Sequence, residues 1–410
     1  MTQPIGLIQL ISEEAMPSLF PILALRPSAL FHVTSRGYEQ HSAPVLAAAE
    51  LGRVCPPRES VRHISLPPMP SIVESHHAVQ QGIEWIKERG LQPVVNFTGG
   101  TKLMSIGSFY AAVQTNTPSL YVDGNRQTFV DGNSAPNLAS LLSNGLELGA
   151  LGSFISLRMV LAAHGCAAEN ASRQIRDLVT PATALLLNPA DEIRTFESVA
   201  GKNGAFATLR NSKNVVRWRE AGQILFDLPE TIGTPAEAAG LVRRSGQRFC
   251  LCPDVSHSHE KNHQSKRYRG PDPGKILQRR YQFFEGGWWE IVVANAVATC
   301  PLFADVNVNL TVAKGTQLSM EEDVLAIQGI QLAYISCKRG GADKLVRHLE
   351  ELDASARRLG GKLTRKYLAV CHLPEHMRAG LRERARQLHV TLLEPSEISN
   401  PMAFQNAVSV

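Results

Sequence analysis

A short apolar segment, Pro93-Val94-Val95-Asn96-Phe97, runs straight into Thr98-Gly99-Gly100-Thr101-Lys102 and then into an apolar helical stretch from about Leu103 to Val113. A strand that turns through a glycine pair into a helix belongs to a parallel α/β sheet. The glycine pair lets the backbone approach an anion closely, and the helix N-terminus adds unpaired N–H groups and a favourable dipole. Thr98 and Thr101 add hydroxyls and Lys102 adds a cation. The same sequence also makes a tight strand-to-helix turn with no ligand, and the residues alone leave both readings open.

The flanking sequence continues the alternation. Residues 5–11 are an apolar run ending at Ser12-Glu13-Glu14 and read as a buried first strand. Residues 16–26 suit a helix, Ala29 to Ser35 a second strand, and Ala43 to Leu51 a helix. Val73 to Arg89 is a stronger helix, with Val79, Ile83 and Ile86 on one face. Residues 93–97 make the third strand and Ser119 to Asp123 the fourth. From about Ala135 to Asp272 the pattern weakens. Helical stretches are predicted at 138–148, 155–163 and 173–187, while 253–274 is a polar, basic loop rich in His, Gly and Pro.

A last segment opens near Ile276. A buried helix is expected from Gly287 to Val297, then strands at 305–313, 321–328 and 331–337 and an amphipathic helix from Ala342 to Arg358. Strands at 367–371 and 390–393, with a basic helix between them, complete an α/β/α sandwich. The expected organisation is therefore an α/β chain with a Rossmann-like domain at 1–135, a mostly helical connecting region at 136–272 and an α/β/α domain at 273–410.

The length of 410 residues suits two or three domains of roughly 100–200 residues each. The formal net charge of +5 permits an anionic partner without demanding one. Lys261, Lys266, Arg267, Arg269, Lys275, Arg279 and Arg280 crowd one stretch, which reads equally as a solvated loop or a phosphate track. Seven scattered cysteines fit no closed disulfide framework, so reduced thiols and a cytoplasmic location are expected. The start lacks a basic region followed by an apolar core, and no run approaches about 18 apolar residues, so neither a signal peptide nor a membrane span is expected.

Asn96-Phe97-Thr98-Gly99-Gly100-Thr101-Lys102-Leu103-Met104 resembles the Asn-x-Thr-Gly-Gly-Thr-Lys-x-Met signature of CRISPR-associated Rossmann fold (CARF) domains. Ser12-Glu13, Val33-Thr34-Ser35 and Tyr121-Val122-Asp123-Gly124-Asn125 fall where that family places its other ligand-facing loops. The resemblance implies a homodimer that binds a cyclic oligoadenylate across its two-fold axis, with cyclic tetra-adenylate the expected ring. It implies ligand contacts from Ser12, Glu13, Thr34, Ser35, Asn96, Thr98, Gly99, Gly100, Thr101, Lys102, Met104, Gly124 and Asn125.

The C-terminal segment orders its charges suggestively. Glu290 follows Gly287-Trp288-Trp289, Glu321 and Asp323 alternate onto one strand face, and Ser336 and Lys338 share a face of the next strand. Convergent carboxylates bind hard divalent ions that activate water, and a lysine can stabilise developing charge. Charged residues on strands are also commonly just solvated. Gly287-Trp288-Trp289-Glu290, Glu321-Glu322-Asp323-Val324-Leu325, Tyr334-Ile335-Ser336-Cys337-Lys338 and Gly360-Gly361-Lys362 resemble the PD-(D/E)xK nuclease domain fused to CARF sensors in the cyclic-tetra-adenylate-activated effector nucleases of type III CRISPR systems.

That resemblance implies an endonuclease acting on DNA or RNA. Its metal ligands would be Asp323, Glu321 and Glu290 with manganese or magnesium, and its catalytic set Glu290, Glu321, Asp323, Ser336 and Lys338. One departure matters. Ser336 stands where the family has the glutamate of Glu-x-Lys, and a neutral hydroxyl is a poor ligand for a hard cation.

Other signals are weaker. Cys250-Leu251-Cys252 followed by His257, His259 and His263 is not a recognised zinc frame, and a polar loop is the expectation. Trp288 and Trp289 open an apolar helix and read as core rather than as stacking platforms. Two readings compete with a ligand-gated nuclease. One is a catalytically silent sensor that sequesters the ring or signals. The other is a CARF-type transcription regulator, for which the middle region offers no convincing helix-turn-helix.

Overall fold

The computed structural model describes residues 3–133, 138–142, 145–170, 175–210, 212–253, 272–315, 319–340 and 344–409. Two compact units emerge, and each draws on separated pieces of chain. One comprises Met1–Ala171, Leu302–Tyr334 and Arg347–Tyr367; the other comprises Ser172–Pro301, Ile335–Val346 and Leu368–Val410.

The N-terminal strands are β1 (Ile5–Leu10), β2 (Ala29–Ser35), β3 (Val61–Leu66), β4 (Gln92–Asn96), β5 (Ser119–Asp123) and β6 (Thr128–Asp131). They form a sheet in the order β3-β2-β1-β4-β5-β6. The first five are parallel and β6 runs antiparallel to β5. All seven β2 residues are buried, as befits a strand covered on both faces. Four helices connect the strands: α1 (Met16–Leu25), α2 (Ser42–Leu51), α3 (Ile72–Lys87) and α4 (Lys102–Gln114). The Ser71 hydroxyl accepts the Glu74 N–H while the Glu74 carboxylate accepts the Ser71 N–H, a reciprocal cap that starts α3. Val79, Ile83 and Ile86 of α3 are buried in the core against β1, β2 and β4, as their spacing predicts.

Two strands of this sheet escape the sequence reading. β3 is an edge strand whose Arg62, His63 and Ser65 are exposed, so it carries no apolar run. β6 has only four residues and returns from β5 through a turn in which the Asp123 carboxylate accepts the N–H groups of Asn125 and Arg126.

The remaining strands are β7 (Cys166–Ala168), β8 (Val242–Ser245), β9 (Arg248–Leu251), β10 (Phe303–Lys314), β11 (Met320–Gln328), β12 (Gln331–Gly340), β13 (Arg365–His372) and β14 (Val390–Leu393). A second six-stranded sheet runs β14-β13-β12-β11-β10-β7, and β8 pairs with β9. Helices Trp288–Thr299, Leu345–Gly360 and Glu375–Gln387 lie near their predicted places. The sixth strand of that sheet, β7, comes from the connecting region and pairs antiparallel with β10. Trp288 and Trp289 are both core residues, and the Trp289 indole donates to the Ala369 carbonyl at 3.0 Å.

The connecting region departs further from expectation. The helix expected over 138–148 is only Leu138–Leu141, followed by a 3-10 turn at Leu148–Phe154. Gly145, Gly149 and Gly152 make a continuous α-helix costly there. The helix expected over 173–187 is Val179–Leu187, and a further helix, Pro189–Val199, follows it. Among the described residues, no helix is long and apolar enough to cross a membrane.

Candidate functional site

In the N-terminal sheet β1 pairs with β2 on one side and β4 on the other, both in parallel. The connections therefore reverse direction between β1 and β4, and the crevice outside the carboxyl ends of two such strands is where open α/β sheets hold ligands. Ser12-Glu13-Glu14 follows β1 and Thr98–Thr101 follows β4, so the two loops flank this switch point.

Glycine is required where the loops meet. A Cβ on Gly99 would lie 2.2 Å from the Leu10 carbonyl oxygen, and Gly100 has a left-handed φ of 72°. Asn96 is buried and holds the turn from beneath. Its Nδ2 donates to the Pro17 carbonyl at 3.0 Å, and its Oδ1 accepts from the Thr98 N–H at 3.1 Å and the Thr98 hydroxyl at 2.6 Å. The Thr98 oxygen in turn accepts the Val122 N–H at 2.7 Å, which ties the β4 loop to β5. Thr101 caps α4 by accepting the Met104 N–H at 3.3 Å, and Ser105 donates to the Gly99 carbonyl at 3.1 Å. Lys102, first residue of α4, is exposed beside the helix N-terminus.

The predicted ligand contacts thus divide. Glu13, Gly100, Thr101, Lys102 and Asn125 are exposed, and Ser12, Thr98 and Gly124 are half-buried beyond the carboxyl ends of β1, β4 and β5. Thr34 and Ser35 are buried at the end of β2, where the Thr34 hydroxyl donates to the Ile64 carbonyl at 3.3 Å. Met104 is a correction. Its side chain is 0% exposed in the apolar core, because the first turn of α4 points it under Gly100, so it supports the loop rather than facing a ligand. Asn96 has the same supporting role, since its amide is spent on Pro17 and Thr98.

On the nuclease-like strands, Glu321 is exposed and Asp323 half-buried on one face of β11. Glu322, between them, is 1% exposed and pairs with Arg358 at 2.7 Å. Burial pushes the Tyr334 hydroxyl well above the usual phenol range, and the negative charges of Glu322 and Asp323 push it further. Ser336 is buried and Lys338 half-buried on one face of β12, and Glu290 is half-buried in the first turn of helix Trp288–Thr299.

A hard divalent ion prefers six or more oxygen ligands, several of them carboxylate. Among the described residues, no three His, Cys, Asp or Glu gather as a ligand group, and Ser336 supplies a neutral hydroxyl. The expected set of Asp323, Glu321 and Glu290 therefore fits such an ion only in part.

Sequence reasoning missed a charged cluster near the ends of β12 and β13. Glu192, 2% exposed, accepts from Arg339 at 2.8 Å and pairs with His372 at 3.1 Å. The Arg339 guanidinium sits 3.5 Å from the Phe196 ring centroid. Burial acts to raise the Glu192 carboxyl, but the hydrogen bonds from His372 and Arg339 outweigh it and hold it below the usual glutamate range. The available signal was the buried face of helix Pro189–Val199, where Glu192 takes an inward position in register with Thr195 and Val199. Cys250 is buried on β9 and its sulfur accepts from Arg243 Nε at 3.1 Å. His257, His259, His263, Lys261, Lys266, Arg267 and Arg269 lie outside the described residues; Lys275, Arg279 and Arg280 lie on helix Pro273–Gln282.

No curated protein matches the sequence. The structure of Can2 from Sulfobacillus thermosulfidooxidans, in complex with cyclic tetra-adenylate, superposes with a TM-score of 0.66 at 16% identity, covering 98% of this chain and 97% of that one. Protein VC1899 from Vibrio cholerae superposes with a TM-score of 0.68 at 14% identity, covering 98% of each chain. At such identities the likeness is one of fold, and it extends over both units. By sequence, residues 277–404 match the model of the Card1-like endonuclease domain.

Proposed function

We propose that this protein is an ancillary effector of type III CRISPR defence: an endonuclease for DNA or RNA, allosterically activated by a cyclic oligoadenylate, with cyclic tetra-adenylate the expected ring. The observation that carries the reading is the combination, in one chain, of a Gly99-Gly100 loop at the sheet's switch point, leading into Lys102, with a Card1-like endonuclease match at 277–404. Support comes from Can2, of the same fold and bound to cyclic tetra-adenylate. The exposed Lys102 and the α4 N-terminus would meet ring phosphates, and the half-buried Thr98 and Ser12 would line the crevice.

A homodimer belongs to this reading. Leu103, Ile106, Tyr110 and Val113 lie on one face of α4 and are exposed, together with Met69, Ile72 and Val73 before and on α3. An apolar stripe of this kind calls for a partner surface, and a second copy would supply one across a two-fold axis. On the nuclease strands, Lys338 would neutralise charge developing on a scissile phosphate, and a divalent ion, manganese or magnesium, would supply water activation. Ser336 favours one variation: a weakened nuclease whose main remaining role is to bind the ring. Calorimetry with cyclic tetra-adenylate tests the sensor half. One ring per two chains supports the proposal, and absence of binding defeats it.

A further inference from the structure

The turn Gly361–Leu363 joins helix Leu345–Gly360 to β13 and packs on the loop after β1 and the turn after β5. Gly361 has a φ of 70°, and a Cβ there would sit 2.7 Å from Glu14 Oε2 and 2.8 Å from His164 Cε1. The backbone N–H of Lys362 donates to Glu14 Oε2 at 3.1 Å, and its ammonium lies 3.6 Å from Glu14 Oε1. Leu363 closes the other side: a Cβ on Gly124 would lie 2.7 Å from Leu363 Cδ2. One three-residue turn thus touches both the β1 loop, through Glu14, and the β5 loop, through Gly124.

The charges are unequally placed. The Lys362 side chain is 66% exposed and the Glu14 side chain 27%. Glu14 stands two residues beyond Ser12, so an anion in the crevice would repel Glu14 and attract Lys362. A solvent-exposed ion pair at 3.6 Å is held weakly and is easily exchanged. Lys362 lies three residues before β13, the neighbour of β12, on which Ser336 and Lys338 lie.

We propose that Lys362 is a further phosphate contact of the ring-nucleotide site, held by Glu14 in the ligand-free chain and exchanged onto a phosphate when the ring binds. This rests on the reading that the crevice takes a cyclic oligoadenylate.

The test is calorimetry of cyclic tetra-adenylate against the full chain and its Lys362→Ala, Lys362→Arg and Glu14→Gln variants, with melting curves to establish that each is folded. Lys362→Ala should weaken binding about tenfold, and Lys362→Arg should keep most of the affinity. Glu14→Gln should tighten binding about threefold, because the competing carboxylate is gone. Exchange predicts that Glu14→Gln no longer tightens binding once Lys362→Ala is in place; additive effects in that double variant would mark bystander charges, and a merely structural pair would move both single variants the same way. Equal affinities throughout, or shifts of one sign, overturn the proposal. If those results accompany normal binding by the unmodified chain and weakened binding by Lys102→Ala, the crevice reading survives and only the exchange fails. If the unmodified chain binds no ring, both fail.

Discussion

Replacing Gly99 with alanine should disable the crevice through packing alone. The added Cβ would fall 2.2 Å from the Leu10 carbonyl oxygen and 2.9 Å from its carbon. Real contacts of this type need about 1 Å more, and close-packed interiors do not yield that without strain. The obstructing atoms are backbone, at the end of a central strand bonded on both sides, so no side-chain rotation relieves them. Overpacking of this kind costs about 1–3 kcal/mol, which for a unit of this size lowers the melting temperature by about 3–10 °C. The relief that does occur must lift the β4 loop from β1, so ring affinity should fall as well. Gly100→Ala is the graded control. Its conflict is the left-handed φ of 72° and a 3.0 Å approach to the flexible Met104 sulfur, worth about 1 kcal/mol. Thermal melting and calorimetry with cyclic tetra-adenylate, run on both variants, decide the matter. A Gly99→Ala protein that melts and binds like the unmodified chain would refute the close approach and the loop geometry built on it.

Lys102→Ala should weaken ring binding about tenfold without changing the melting temperature, because its side chain is exposed. Thr101→Ala should instead cost about 1 kcal/mol of stability, since its hydroxyl caps α4, and any affinity loss must be read after that correction. Ile106→Glu combined with Tyr110→Glu should convert a dimer to monomers in light scattering; an unchanged dimer would remove the α4 stripe from the interface. Glu192 has a folded-state value below its unfolded one, so its contribution to stability is present above the ordinary glutamate range and is lost as pH falls through the folded value. Denaturant melts from about pH 7 to about pH 3 should show that loss, and Glu192→Gln should flatten it; parallel curves would show that the cluster carries no such linkage.

The N-terminal fold was legible because its central strands are buried on both faces and read as apolar runs, and because the Gly99-Gly100 junction marks a strand-to-helix turn. What stayed hidden was hidden for local reasons. β3 sets exposed Arg62, His63 and Ser65 among the half-buried Val61 and Ile64 at a sheet edge, so no apolar run marks it. β7 has three residues and is defined only by its distant partner β10. Within the candidate site, residue types were read more readily than orientations. Asn96 and Met104 are part of the loop signature, yet they act from beneath it. Alternation along β11 separates Glu321 and Asp323 from Glu322, but only the structure shows Glu322 neutralised by Arg358. Glu192, Arg339 and His372 lie far apart in sequence, and no motif joins them.

The most direct measurement is cleavage of supercoiled DNA and single-stranded RNA with manganese, with and without cyclic tetra-adenylate, by the unmodified chain and by Ser336→Glu and Asp323→Ala. Ser336→Glu adds a carboxylate on the strand face shared with Lys338, where hard-cation chemistry favours one. The account predicts weak, ring-dependent cleavage by the unmodified chain, tens-fold or greater stimulation in Ser336→Glu, and none in Asp323→Ala. Cleavage that ignores the ring, or that persists in Asp323→Ala, would contradict it.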